Sequence, residues 1–382
     1  MATVVVATDK FKGSASAEQA CEALCAGIRS SAESWRCVPI PLADGGDGTV
    51  AALGRAGWRL EHVSVVDARG DEVSANVAIA GESVVVELAD ICGIARWRGR
   101  LRPWEAHTIG LGMAIHEQIT RGRTHVLVAV GGSASTDGGL GLLTGLGFRV
   151  LDDGGSPVDQ GLEGLRAAAR IVAPDDIEAL LHVTWSVLVD VDAPLLGPTG
   201  SSFRFGPQKG LCDFELAEAD RILWNWAQVL ADYSGVNVAD EPGSGAAGGV
   251  VAALRAVFDA TVVSGFAFVA KQAGLAAAVE SADAVVTGEG HLDVTSLTGK
   301  VVGGVIELAR ANDLPTFIVV GDANTATRIS LPEVVITLVD LVGDRDRAMS
   351  DTAVALDGAG RVVGERLMVG GAFPGTSAPS TG

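Results

Sequence analysis

Short runs rich in β-branched residues recur along this chain, each ending at or near a glycine or an aspartate. They are Thr3 to Ala7, Arg36 to Ile40, Val84 to Leu88, His125 to Val130, Thr184 to Val189, Ala284 to Val286 and Thr316 to Val320. Runs this short and this apolar read as buried strands. Between them lie helical stretches, clearest at Ala17 to Ile28, where Ala17, Ala20, Cys21, Leu24, Cys25 and Ile28 share a face and Ser16 with Gln19 forms a capping box. Strand, polar loop and helix in repetition predict α/β architecture with mainly parallel sheet. Ligands of such sheets bind beyond the carboxyl ends of the strands, so the residues that follow each strand should carry the chemistry.

The 382 residues are enough for two or three domains, yet no Pro/Ser-rich linker and no internal repeat marks a boundary. Glycine is abundant, 50 against 13 prolines, without a G-X-Y period, so the glycines belong to particular loops and not to a fibrous or low-complexity chain. With 28 basic and 47 acidic side chains the net charge is −19, whose far field repels phosphate; nucleic acid and anionic membrane are poor partners, and any anion site must be built locally. Five cysteines, at 21, 25, 37, 92 and 212, form no CxxC pair and no even framework, as expected of a cytoplasmic protein. The apolar residues 2 to 7 are stopped by Asp9 and Lys10, unlike a signal peptide, and no run approaches the roughly 18 apolar residues a membrane span needs. Residues 370–382, GGAFPGTSAPSTG, read as a disordered tail.

Several loops after strands have the composition of a site. Asp9-Lys10-Phe11-Lys12-Gly13-Ser14 precedes a helix N-terminus, where two lysines suit a carboxylate or phosphate; a solvated turn has the same letters. In Asp44-Gly45-Gly46-Asp47-Gly48-Thr49, two carboxylates among glycines fit magnesium binding, hydroxyl activation or plain helix capping. Gly131-Gly132-Ser133-Ala134-Ser135-Thr136-Asp137-Gly138-Gly139 is the strongest signal, a backbone nest with three hydroxyls that can hold an anion, with Asp137 as metal ligand or base. Asp190 and Asp192 stand at a strand end, followed by Gln208 and Lys209, which offer a donor and a charge. Gly243 to Gly249 suits close helix packing or ligand contact equally. Glu289, Gly290, His291 and Asp293 form a polar turn suited to recognition or acid–base work. Neither the GxGxxG fingerprint of dinucleotide binding nor a P-loop is met, since Val301 follows Gly299-Lys300.

Taken in order, DKFKGS (9–14), PLADGGDGT (41–49), GGSASTDGG (131–139), DVDAPLLG (190–197), FGPQKG (205–210), GAAGG (245–249), TGEGHLD (287–293) and TGK (298–300) resemble the bacterial glycerate kinase family, whose two-domain members phosphorylate D-glycerate with ATP and Mg2+. The resemblance runs to about residue 360. It implies a discontinuous Rossmann-like domain, residues 1–65 and 280–369, with 66–279 inserted as a second α/β domain and the active site in the interdomain cleft. It also implies phosphoryl transfer by positioning and charge stabilisation, giving 2-phosphoglycerate. Lys12, Gly13, Ser14 and the Gly131 to Ser135 nest would then hold anionic groups, while Asp44, Asp137 and Asp190 compete for the base and magnesium roles, Asp190 favoured as base and Asp44 as metal-linked.

The chain departs from the family where Ala193 replaces a frequent asparagine and His291 a frequent arginine, which opens the alternative of a related hydroxy acid, because arginine grips a carboxylate bidentately and histidine does not. A noncatalytic carboxylate or sugar-phosphate sensor on the same fold is the reading from another class. The charged Asp, Lys and Glu set favours the enzyme. Monomer and dimer both remain open.

Overall fold

The computed structural model describes residues 1–97 and 99–369; the tail expected at 370–382 lies outside them. Two compact units emerge, one formed by Met1–Asp44 together with the chain from Phe266 onward, the other by Gly45–Gly265. In chain order the strands are β1 (Ala2–Thr8), β2 (Trp35–Pro39), β3 (Arg59–Val66), β4 (Glu72–Ala80), β5 (Ser83–Glu87), β6 (His125–Ala129), β7 (Arg149–Leu151), β8 (Arg170–Val172), β9 (Thr184–Leu188), β10 (Thr261–Val263), β11 (Ala284–Leu292), β12 (Thr316–Ala323) and β13 (Val334–Thr337).

In the discontinuous unit the sheet order is β13-β12-β11-β1-β2, parallel throughout. The interior strand β1 buries Val4, Val5 and Val6 completely, as a strand covered on both faces must. Helix Ala17–Ser31 opens with the capping box read from Ser16 and Gln19. Its buried face, with Leu24 and Ile28, packs against Leu356 and Val363 of helix Thr352–Val369 in a core that includes β1, β11 and β12. Each aliphatic side chain so enclosed contributes about 1.5–3 kcal/mol.

The inserted unit is built on the order β10-β9-β6-β5-β4-β3. Pairings β5–β6, β6–β9 and β9–β10 are parallel, whereas β3–β4 and β4–β5 are antiparallel. This meander displaces the boundary expected at 65/66. Because β3 finds its hydrogen-bond partner in β4, the chain from Gly45 belongs with the inserted unit. At the other junction the division falls at 265/266 and not 279/280, with the Phe266 ring lying against Gly304 of the discontinuous unit. β7 and β8 form a small separate ribbon. The core wraps helix Asp213–Ser234, whose Trp226 is fully buried and donates its indole N–H to the Gly138 carbonyl at 2.8 Å.

All five cysteines are free thiols, four of them buried. No described helix is long and apolar enough to cross a membrane.

Candidate active site

In the inserted unit three chain segments meet at the carboxyl ends of β6 and β9. The Gly131 N–H donates to the Gly45 carbonyl at 3.2 Å, and a Cβ on Gly131 would stand 2.5 Å from the Gly46 Cα, so only glycine permits this approach of two loops. A Cβ on Gly45 would likewise meet the Leu188 carbonyl at 2.8 Å, at the end of β9. Gly45, Gly46, Gly131 and the segment leading to Asp190 are thereby brought together, while Asp47 points to solvent.

Beneath the Gly45 loop lies Glu87, which ends β5 and is 3% exposed. Its carboxylate accepts from the Gly48 N–H at 2.9 Å and the Val50 N–H at 2.8 Å, capping helix Thr49–Arg55 from another strand. Burial pushes this carboxyl up to about 7, with the two N–H bonds pulling it down and Asp47 and Asp90 adding repulsion.

The loop after β6 carries a hydroxyl relay: Ser133 Oγ lies 3.2 Å from Ser135 Oγ, which donates to Asp137 Oδ1 at 3.2 Å. Asp137, read as a metal ligand or base, has a different surrounding in the structure. It is wholly buried, and Oδ2 accepts from the Thr108 N–H (2.8 Å), the Thr108 hydroxyl (2.7 Å) and the Gly141 N–H (3.1 Å), while Oδ1 also accepts from the Gly139 N–H (3.3 Å). A carboxylate engaged by this many protein donors has no side left for a cation. Gln208 is exposed, but Lys209 is 2% exposed and donates its ammonium to the Ser135 carbonyl, so it faces the loop and not a ligand. Asp190 is half-buried and accepts from the Gly265 N–H at 3.0 Å; Asp192 is exposed and paired with Arg204. Ala193 is buried.

In the discontinuous unit the loops after adjacent strands gather acids and lysines. Asp9 follows β1, is 9% exposed, and accepts from the Lys10 N–H at 2.7 Å with the Lys10 ammonium 3.6 Å away. Burial pushes its carboxyl up to about 6, Lys10 pulling down and Asp44 adding repulsion. Glu289, on the neighbouring β11, is pushed up to about 7 by burial, with Ser296 and Lys300 pulling down and Asp9 and Asp293 repelling. Its Oε1 is buried without a hydrogen-bond partner. Asp9, Lys10, Asp44, Glu289 and Lys300 therefore form one electrostatic cluster at the carboxyl edge of the sheet.

Lys12, Gly13 and Ser14 are exposed in a turn closed by Ser14 Oγ donating to the Phe11 carbonyl at 3.1 Å. Asp293 is a capping residue: Oδ1 accepts from the Thr295 hydroxyl and N–H and from the Ser296 N–H, which holds its carboxyl below the usual range. Gly290 is half-buried and His291 exposed. Sequence reasoning missed Asp9 and Glu87. A carboxylate inside the run Val-Val-Val-Glu-Leu was a legible signal for Glu87, since a charge in a buried strand needs a purpose.

The model of the glycerate kinase family matches residues 4–368. A glycerate kinase of Halalkalibacterium halodurans is 34% identical over 326 residues, 84% of this chain and 86% of the relative. The glycerate 2-kinase of Escherichia coli K12 is 34% identical over 328 residues, 85% of each chain. A crystal structure described as a glycerate kinase 2 from Salmonella typhimurium LT2 superimposes with a TM-score of 0.77 at 31% identity, covering 97% of this chain and 99% of that one. A family match over nearly the whole length, joined to an α/β fold shared with a solved relative, makes this chain an enzyme of the glycerate kinase family.

Proposed function

We propose that the chain transfers the γ-phosphoryl group of ATP to a hydroxyl of D-glycerate and releases 2-phosphoglycerate, in the cytoplasm. The observation that carries this reading is the gathering of Asp9, just past β1, and Glu289, within the neighbouring β11, with Lys10 and Lys300 beside them, the two carboxyls raised by burial. The E. coli relative named glycerate 2-kinase supports the position of transfer.

Within the inserted unit, Gly132 and Ser133 would receive an anionic group, on a loop whose Gly131 N–H and Ser135 hydroxyl are held by the Gly45 carbonyl and by Asp137, and Asp190 would take the proton of the acceptor hydroxyl. Within the discontinuous unit, exposed Lys12, with Gly13 and Ser14, would bind an anion, and His291 is the exposed side chain that would distinguish glycerate from related hydroxy acids.

Magnesium fits this unit in the way that suits it best. No group of three His, Cys, Asp or Glu among the described residues could hold a metal ion alone, yet Mg2+ ordinarily takes one or two carboxylates and completes its shell with phosphates and water. Asp44 and Asp9 would hold it, and the orphaned Glu289 Oε1 is a further hard oxygen. When bound, the ion supplies neutralisation of phosphate charge.

Coupled ADP release with ATP and Mg2+, with and without D-glycerate, tests the reading, and phosphorus NMR of the product separates 2- from 3-phosphoglycerate. Silence with D-glycerate but turnover of another hydroxy acid would move the substrate and implicate His291. Silence across a hydroxy-acid panel would leave the sensor reading in its place.

A further inference from the structure

Three motifs of the inserted unit, 131–139, 205–210 and 245–249, meet in one buried contact. Lys209 ends the short turn Pro207–Lys209, and its side chain runs inward until the ammonium donates to the Ser135 carbonyl. Gly248, at φ +73°, makes room for it: a Cβ there would stand 3.0 Å from Lys209 Nζ and would collide with the Ser135 carbonyl oxygen. The Gly248 carbonyl also accepts from the Gly138 N–H at 2.9 Å, fastening the far end of the same loop. The glycines of 245–249, which the sequence left open between packing and ligand contact, thus serve to admit a lysine.

We propose that Lys209 is a positioning residue for phosphoryl transfer, one that latches the Ser135 carbonyl and so fixes the orientation of the 131–135 loop toward its anionic ligand. The inference rests on the reading of that loop as an anion cradle. Its physical basis is the rigidity of the peptide unit. In a planar trans peptide the C=O and the following N–H point opposite ways, so drawing the Ser135 carbonyl toward Lys209 turns the Thr136 N–H away from it. The Thr136 hydroxyl on the same loop is buried with no protein partner. A buried ammonium is a costly way to fill space, and the nearby Asp137 compensates it in part while its own oxygens hold Ser135, Gly139, Gly141 and Thr108. Lysine and aspartate thus grip the loop two residues apart, one by a carbonyl, the other by a hydroxyl and N–H groups.

The test compares wild type with Lys209→Met and Lys209→Gln in full-length protein, by amide hydrogen exchange over residues 131–137 and by steady-state kinetics. In Lys209→Met, exchange in the loop should quicken by about tenfold or more while the core strands stay protected. The same variant should lose about tenfold or more in kcat, with KM for ATP and for the acid changed by less than about threefold. Lys209→Gln keeps an N–H donor for the Ser135 carbonyl and should recover part of both; it also decides the matter if the methionine variant does not fold. Unchanged loop exchange with unchanged kcat would overturn the proposal. So would a raised KM at full kcat, which would make Lys209 a direct ligand contact. Hydrogen exchange needs no substrate, so a wild type silent across the hydroxy-acid panel would sink the kinase reading while leaving the latch measurable.

Discussion

At the scale of single residues, the fold acts on proton affinity at Asp9 and Glu289, where burial raises both carboxyls. Asp9 stands in a motif that was read for its lysines, but β1 carries it to the carboxyl edge of the sheet and burial changes its proton affinity. With Asp9 held near 6 and Glu289 near 7, both carboxylates gain protons as pH falls below neutrality. If they must be ionised to hold Mg2+, kcat/KM should fall as pH drops through 7 toward 6 and be fully present above it. Asp9→Asn should cost about a hundredfold in kcat and erase the lower part of that limb. A variant with the wild-type profile would remove Asp9 from the site. Lys12 lies exposed in its turn, so Lys12→Ala should leave the melting temperature unchanged and raise KM for one anionic substrate several-fold; an unchanged KM would return it to solvent. Asp137 shows the limit of reading by letters. An aspartate after a glycine-rich loop looks the same whether it faces a metal or the core, and the donors that decide the matter come from Thr108, distant in sequence.

At the scale of elements, those same donors make Asp137 a joint. It ties the residue before helix Ile109–Thr120 to the first turn of helix Leu140–Gly145, while Glu87 ties β5 to helix Thr49–Arg55. Asp137→Ala leaves buried donors unpaired and should cost about 3–5 kcal/mol, read as a lower denaturant midpoint at unchanged slope. Glu87 should make stability depend on pH. Its folded carboxyl is raised to about 7 from an ordinary value near 4.5, so the native state binds the extra proton between those values. Stability from this group is present below about 4.5 and is lost as pH rises toward about 7. Glu87→Gln should flatten that part of the stability curve; an unaltered slope would assign it elsewhere. The parallel strands were legible because strands covered on both faces need continuous apolar runs, and the Ser16–Gln19 box marked its helix. The β3–β4 meander was not. Its first strand mixes Glu61, His62 and Ser64 with valines, so it lacks the continuous apolar run by which the parallel strands were found, and only a search for period-2 alternation would have marked it.

At the scale of the whole molecule, the decisive fact is that one unit is interrupted by the other. Among the described residues, the large core of the inserted unit runs from Val63 to Ala260, within Gly45–Gly265, and its six-stranded sheet is formed within that stretch. The discontinuous unit has the opposite property. Of its five strands residues 1–44 supply only β1 and β2, and the interior strand β1 is paired from Val4 to Thr8 with β11, which follows the whole insertion. Non-local pairing of this kind must wait for the later chain, since loop closure costs entropy before the strands compensate it. Residues 45–265 produced alone should therefore give an α/β circular dichroism spectrum and unfold in one cooperative step. A chain of residues 1–265 should contain the same folded unit behind an N-terminal segment that a protease removes. Mass spectrometry after limited digestion would show whether a fragment beginning near Gly45 survives. Survival of the intact 1–265 chain would mean that β1 and β2 hold without β11, and rapid loss of the 45–265 fragment would mean that the inserted core needs the rest of the chain.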